Sequence, residues 1–199
     1  HPLSSILEWS IAKLHDLKPA CVISFSSQII PVLAILRKNL LKHKKTQIIY
    51  NGHLPAIFES ELLQNVYDYE FELQAIQKGA EIPKFEGSTL LISQQDTIPK
   101  SALSPNIDFY LNVHEGLGSI LLVNGEKNEG YISEIQHVRR RETIAMTPAN
   151  SRTALKNLSE DATIETIHHI QETTKKSVLT SIRKITGTTL EPIVGSSGL

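Results

Sequence analysis

Apolar positions along the chain follow two rhythms, one of strands and one of helices. Between 108 and 138 the rhythm is that of strands. Two apolar runs, 109–113 and 119–123, are separated by a corner holding Gly116 and Gly118. Asn124-Gly125 follows, and after it a third apolar stretch at 131–135. Asn-Gly is a strong hairpin signal because both residues accept positive φ. The spacing therefore predicts a three-stranded antiparallel meander that ends on a polar group, Glu134, Gln136 and His137. Glycines at such a corner serve either an ordinary turn or a close approach of backbone to a ligand or another segment. Both readings stand.

Elsewhere the periodicity alternates between strand and helix. Leu3, Ile6, Leu7, Ile11 and Leu14 recur at helical spacing, with a capping-box pattern at Ser5 and Glu8. This helix should end before Pro19, since the residue preceding proline avoids the helical region. Residues 20–25 read as a buried strand, running into a polar corner, Ser26-Ser27-Gln28, that reads as a turn or a phosphate cradle. Pro31 suits the first turn of a second helix. Lys42, His43, Lys44 and Lys45 at its end complement the helix dipole. A strand over 46–50 leads to Asn51-Gly52-His53 and a helix over 54–64. Strand, polar tip, helix is where α/β proteins place chemistry, although Asn51 and His53 also read as a turn asparagine and an exposed histidine. A helix over 74–79, a strand over 89–93 and a loop over 94–106 complete the first half. After the meander, Arg139, Arg140 and Arg141 read as a solvated face or a phosphate contact. A short helix to about 158, a long amphipathic helix over 161–185 with Gly187 as its cap, and a strand over 190–194 into a Gly/Ser loop at Gly195 follow. His168 and His169 lie about 100° apart on that helix and cannot both serve one metal.

Composition narrows the class. The chain has 199 residues, 40% hydrophobic and 21% charged, which fits a globular protein of one domain or two small lobes. A net charge of −1 provides no global field for nucleic acid or membrane. One cysteine, Cys21, excludes an internal disulfide and a cysteine-rich zinc site, and suits a reducing, cytoplasmic setting. No apolar run approaches the roughly 18 residues of a membrane span. The chain begins at His1, which is the expectation for a piece of something longer. Gly-rich phosphate loops, zinc-protease and nucleophile-elbow motifs do not occur in it.

The order of these pieces resembles the ROK proteins (repressor, open reading frame, kinase), which are sugar kinases and sugar-responsive repressors on the actin-like ATPase fold. His114-Glu115-Gly116-Leu117-Gly118 is similar to that family's Gly-Thr-Gly-Ile-Gly corner. Asn124-Gly125 stands for its hairpin, and Glu134-Ile135-Gln136-His137 for its Glu-Ile-Gly-His tip. Tyr50-Asn51-Gly52-His53 falls where the family has Glu-Asn-Asp-Ala, and 191–196 resembles its terminal strand and glycine loop. The resemblance implies an α/β, actin-like ATPase (ribonuclease H-like) fold. Residues 1–107 would be the remainder of a first lobe, and 108–199 the start of a second, with the meander and the long helix. It implies a sugar held by Asn51, His53, Glu134 and His137, and phosphate-loop-like glycines at Gly116, Gly118 and Gly195.

The departures from that pattern carry as much weight. The family's basic Asp is Gly52 here, which takes no proton. No cysteine follows His137, so the family's zinc loop is missing. Glu115 stands where a threonine would face ATP, and its charge would repel phosphate. These departures imply no catalytic residue, no metal and no cofactor. The expectation is a non-catalytic, cytoplasmic, sugar-sensing domain resembling ROK repressors. It would be homodimeric, touch no membrane, and reach DNA only through a segment upstream of this chain. Two alternatives stand beside it: a divergent ATP-dependent hexose kinase using His53 or Glu134 as base, and a remnant acting through oligomerisation.

Overall fold

The apolar runs become the strands of a single sheet. The computed structural model describes residues 2–55, 58–141 and 146–160 and, beyond these, 173, 176, 178–185 and 187. Six strands, β1 (Val22–Phe25), β2 (Thr46–Asn51), β3 (Phe71–Ala75), β4 (Ser88–Ser93), β5 (Phe109–His114) and β6 (Gly118–Val123), stand in the order β1-β6-β5-β4-β2-β3. β2 is parallel to both β3 and β4, and β4 is parallel to β5. β6 runs antiparallel to β5 on one side and to β1 on the other. Five strands therefore share one direction, and β6 opposes them.

Among the described residues, α1 (Pro2–Leu14), α2 (Ile30–Leu41), α3 (Ser60–Asn65), α4 (Gly125–Arg141) and α5 (Pro148–Glu160) accompany the sheet. Val32, Ile35 and Leu36 of α2 join Tyr131, Ile132 and Ile135 of α4 on one face, over Ile23, Phe25, Leu90, Phe109 and Leu121. Leu7, Ile11 and Ala12 of α1 join Ala154 of α5 on the other, over Val22, Ile49, Tyr110, Ile120 and Leu122. Strands covered on both faces read as near-continuous apolar runs, and β5 and β6 are buried along their whole lengths.

The third strand of the expected meander is not formed. Asn124-Gly125 is a strand-to-helix corner, with the Asn124 N–H on Asp108 O at 2.9 Å, and 125–141 is helical with a kink at Asn128. The reason lies in the spacing of Tyr131, Ile132, Ile135 and Val138, which is one helical stripe. A strand would send Tyr131 and Ile135 to one face and Ile132 to the other. The helix buries all three together, each contributing roughly 1.5–3 kcal/mol, which outweighs the local turn preference. Residues 74–79 are likewise not a helix, because Phe71–Ala75 alternates as the edge strand β3. The helix expected over 54–64 is confined to α3. The helix expected over 161–185 falls largely outside the described residues, although Gly187 has φ 66° and donates its N–H to Arg183 O at 2.9 Å, as a helix cap does. The expected strand over 190–194, with Gly195, and the pair His168-His169 lie outside the described residues. The division expected at 107/108 runs through this one sheet, in which β5 and β6 separate β1 from β4.

Polar ties fix the two layers of helices. Asn39 of α2 is buried; its Nδ2 donates to Thr46 Oγ1 at 2.8 Å, and its Oδ1 accepts from Ser88 Oγ at 3.4 Å and from the Tyr131 hydroxyl. Lys42 Nζ lies 4.8 Å from the centroid of the Tyr131 ring. At the opposite edge, Glu8 Oε1 accepts from both the N–H and the hydroxyl of Ser24, each at 2.8 Å, and pairs with Arg139. Glu8 is thus not the capping-box acid of α1, and Arg139 is not a free basic face.

Candidate functional site

The shared strand direction brings the carboxyl ends of β2, β4 and β5 to one rim, where Asn51, Ser93 and His114 stand. In open α/β sheets that rim is where ligands bind. Beside it, on the α1/α5 face, lies a cavity of about 300 Å³. Leu7, Ile11 and His15 come from α1 and its end, Asp96 and Lys100 from the β4–β5 loop, Asn112, His114 and Leu117 from β5 and its corner, and Asn157 from α5.

Backbone chemistry determines the protonation pattern inside it. Asn112 is fully buried, and its Oδ1 accepts the Gln95 N–H at 3.1 Å while its Nδ2 donates to Gln95 O at 3.0 Å. A backbone N–H can only donate, so the orientation of this amide is fixed. Its second N–H then points to His114 Nε2 at 3.0 Å. Nε2 must accept, which puts the ring proton on Nδ1. That Nδ1 has no hydrogen-bond partner, and His114 is only 8% exposed. Burial lowers the pKa of His114, with Asp96 pulling the other way, so the ring is a neutral donor near pH 7. His15 Nδ1 and Asn157 Nδ2 also lack partners. Burial, reinforced by Lys100 nearby, lowers the pKa of His15 against the pull of Asp16. Three unpartnered polar atoms thus belong to residues around one cavity, which aliphatic side chains line together with Asp96, Thr97, Lys100 and Asn112.

The residues singled out from sequence are spread over other places. Asn51 lines a second hollow of about 530 Å³ with Ile76, Ser93 and Tyr110. There Asn106 is already engaged on Ile82 O at 2.8 Å and Gln95 on Ser93 Oγ at 2.8 Å. His53 is exposed. Glu134 is paired with Lys38, and with His137 it lines a shallow hollow on α2 and α4 that shares no residue with the one at Asn51. Gly116 has φ 72° in the β5–β6 corner. At Gly118 a Cβ would lie 2.0 Å from Phe25 O, so this glycine lets β6 start against the end of β1. Gly195 lies outside the described residues. Among the described residues no group of three or more His, Cys, Asp or Glu gathers as a metal site, and no described helix is long and apolar enough to cross a membrane. The cavity residues His15, Asn112, His114 and Asn157 come from three segments, the end of α1, β5 and α5, and escape any local motif. The signal that was present is the pair Asn112 and His114, polar at alternate positions of an otherwise apolar strand.

No protein-family model and no curated protein matches the sequence. Solved structures do match the fold. A protein of Listeria monocytogenes described as an L-allo-threonine aldolase superposes with a TM-score of 0.52 at 14% identity, over 92% of this chain and 64% of its own. A Thermus thermophilus aspartate aminotransferase mutant gives 0.52 at 9% identity, over 94% and 68%. A protein of Silicibacter pomeroyi described as an aminotransferase gives 0.51 at 12% identity, over 81% and 58%. The chain thus spans about three fifths to two thirds of the length of these proteins. At such identities the likeness concerns the fold, which is of the aminotransferase and aldolase type. It replaces the ROK resemblance and the actin-like ATPase fold, whose meander lacks its third strand here. With them fall the sugar-sensing repressor, the sugar kinase, and a non-enzyme read from a kinase-like fold.

This fold is associated with pyridoxal phosphate, and the described residues do not fit that group. The cofactor needs a lysine amine for its imine link, a partner for its ring nitrogen, and amides or cations for its phosphate. The β5–β6 corner carries His114 and Glu115 and no amine. Lys100 is the lysine lining the cavity, exposed at its rim on the same loop as Asp96. One amine cannot both form the imine and offset the phosphate. At the start of α2, the N–H groups of Ile29 and Ile30 already donate to Ser27 Oγ, each at 3.2 Å.

Proposed function

We propose that this chain binds a small organic molecule in the cavity between α1, the β4–β5 loop, the β5–β6 corner and α5, and that this cavity is the candidate active site of an enzyme-type α/β domain. The observation that carries the reading is the convergence of His15, His114 and Asn157, each with an unpartnered buried nitrogen, on one cavity. The neutral His114 imidazole is held in place by Asn112 at the edge of the cavity, beside the aliphatic side chains of Leu7, Ile11, Leu117 and Ile120. Cys21, the one cysteine, is buried and free, which suits a reducing, cytoplasmic compartment.

The test is a fragment screen read by long-range ¹H–¹⁵N spectra of the histidine rings. Fragments that bind here shift the His15 and His114 resonances together and leave exposed His53 in place. A screen in which no fragment moves that pair at millimolar concentration removes the reading.

A further inference from the structure

Among the described residues β3 is the last strand at its end of the sheet, and it pairs with β2 alone. In a parallel ladder, alternate residues turn their amide and carbonyl toward the neighbouring strand. The Ile76 N–H donates to Tyr50 O at 2.9 Å, so Glu72 and Gln74 turn the same way, toward β2. Phe71, Leu73 and Ala75 turn outward, and the Phe71 carbonyl accordingly accepts from Gln64 Nε2 of α3 at 3.1 Å. Glu72, Leu73, Gln74 and Ala75 are all exposed. β3 holds no lysine and no proline, and its register with β2 runs without a bulge. An outward row of amides of this kind accepts a further strand. Apolar side chains gather beside it: Leu62, Val66 and Tyr67, on α3 and just after it, are exposed, as is Leu73 itself. Grouped in this way they mark an interaction surface.

The charges of the strand select its partner. Asp68, Glu70 and Glu72 make its start acidic, and Lys78 follows its end. A second copy laid parallel would set acid beside acid. An antiparallel copy sets the acidic start against the end that carries Lys78. With the two-fold axis at Leu73, Leu73 meets Leu73, Phe71 meets Ala75, and Glu72 meets Gln74, whose side-chain amide can donate to the carboxylate. The outward groups then match, since Leu73 exchanges both backbone bonds with its counterpart and Phe71 does so with Ala75. An axis at Glu72 would bring two carboxylates face to face, which destabilises a strand pair. An axis at Gln74 would set Glu72 against the apolar Ile76. From this juxtaposition we propose that β3 is a dimer edge, on which a second copy of this chain pairs antiparallel about Leu73 so that the two sheets continue as one. The pairing depends on β3 and its flanks and not on what the cavity holds.

Sedimentation velocity on the full chain tests it. A reversible monomer–dimer equilibrium is expected, with dimer dominant by ~1 mM, as suits a small interface. Leu73→Lys sets two ammonium groups on the axis and should remove the dimer; the position is exposed, and circular dichroism checks that the monomer keeps its fold. Gln74→Lys sets an ammonium opposite each Glu72 and should tighten the dimer several-fold, a gain that Glu72→Gln in the same chain should cancel. Cross-linking reads the register. Leu73→Cys places two sulfurs across a hydrogen-bonded pair with Cα atoms about 5.5 Å apart, within disulfide reach. Mild oxidation should link that variant and leave Ala75→Cys unlinked, because its two copies of residue 75 lie more than about 13 Å apart along the strands; Cys21 is buried. A chain that stays monomeric at the highest concentration, a dimer that survives Leu73→Lys, or equal linking of the two cysteine variants overturns the proposal. An edge reserved for an extended peptide of another protein would show as the first of these outcomes.

Discussion

The Asn39 network offers a quantitative handle on how α4 is held to the sheet. Asn39→Ala removes an acceptor from Tyr131 and Ser88 and a donor from Thr46, at residues that are 4%, 0% and 1% exposed. The Ser88 bond is long at 3.4 Å, so most of the effect lies with Tyr131 and Thr46. A hydroxyl left buried without an acceptor costs about 1–3 kcal/mol, and a lost hydrogen bond about 0.5–1.5. The sum predicts a destabilisation of about 2–4 kcal/mol. Tyr131→Phe removes one donor and leaves Ser88 on the same Asn39 oxygen, so about 1 kcal/mol is expected. Because the two residues share one hydrogen bond, the double variant should fall short of additivity by about 1 kcal/mol. Urea unfolding followed by far-ultraviolet circular dichroism reads all three. With a slope near ~2 kcal/mol/M, Asn39→Ala lowers the midpoint by roughly 1–2 M. A loss under 1 kcal/mol for Asn39→Ala, or additivity of the pair within about 0.3 kcal/mol, would refute the claim that this amide ties α4 to α2 and the sheet.

Three further outcomes are expected. Burial depresses the pKa of His114 and of His15 in the folded chain, so the unfolded state binds more protons as pH falls past their ordinary value near 6.5. Their contribution to stability is therefore complete above that pH and declines below it; urea midpoints between pH 7.5 and 5.5 should fall less steeply in His114→Gln than in the parent, and equal slopes would count against a buried neutral ring. Gly118→Ala places a Cβ 2.0 Å from Phe25 O at φ 110°, with backbone rather than a movable side chain in the way, and should cost 3 kcal/mol or more, measured by urea unfolding; a loss below 1 kcal/mol would mean that β6 can start elsewhere. Burial pushes the Tyr110 hydroxyl up to about 12, only partly opposed by Ser93 beside it. Absorbance at 295 nm should accordingly show a late tyrosinate step that Tyr110→Phe removes, provided circular dichroism shows the fold intact.

The strands buried on both faces were legible because a strand inside an α/β sandwich needs a near-continuous apolar run, and 109–113, interrupted only at Asn112, and 120–123 have one. α2 and α5 were legible from proline starts and a helical stripe. The segment 125–141 was not, because Asn124-Gly125 is as good a strand-to-helix corner as a hairpin, and Tyr131–Ile135 is too short to separate period 2 from period 3.6. Burial of Tyr131, Ile132 and Ile135 on one side decides it, and that depends on α2, which lies about a hundred residues earlier. The same short-range ambiguity lent the ROK resemblance its meander and its tip at Glu134 and His137, which sit on a helix facing Lys38. The cavity was hidden for another reason. His15, Asn112, His114 and Asn157 meet only once the sheet order β1-β6-β5-β4 is set, and periodicity within a strand does not encode its neighbours. Asn112 and His114 were nevertheless visible as polar residues at alternate positions of an apolar strand, which is the trace such a site leaves in a sequence.

The contact between Glu8 and Ser24 has a consequence outside the folded monomer. Among the described residues β1 is the last strand at its end of the sheet, and the Ser24 N–H is taken up by Glu8. A free row of edge amides is a template on which another chain can add a strand. Here a buried carboxylate, itself held by Arg139, occupies the place that a foreign carbonyl would need. The first helix therefore does more than cover one face: it caps the sheet against growth. Loosening α1 would expose a docking strand before the core melts, so damage to this helix should show first as association that rises with protein concentration, and only later as loss of helical signal.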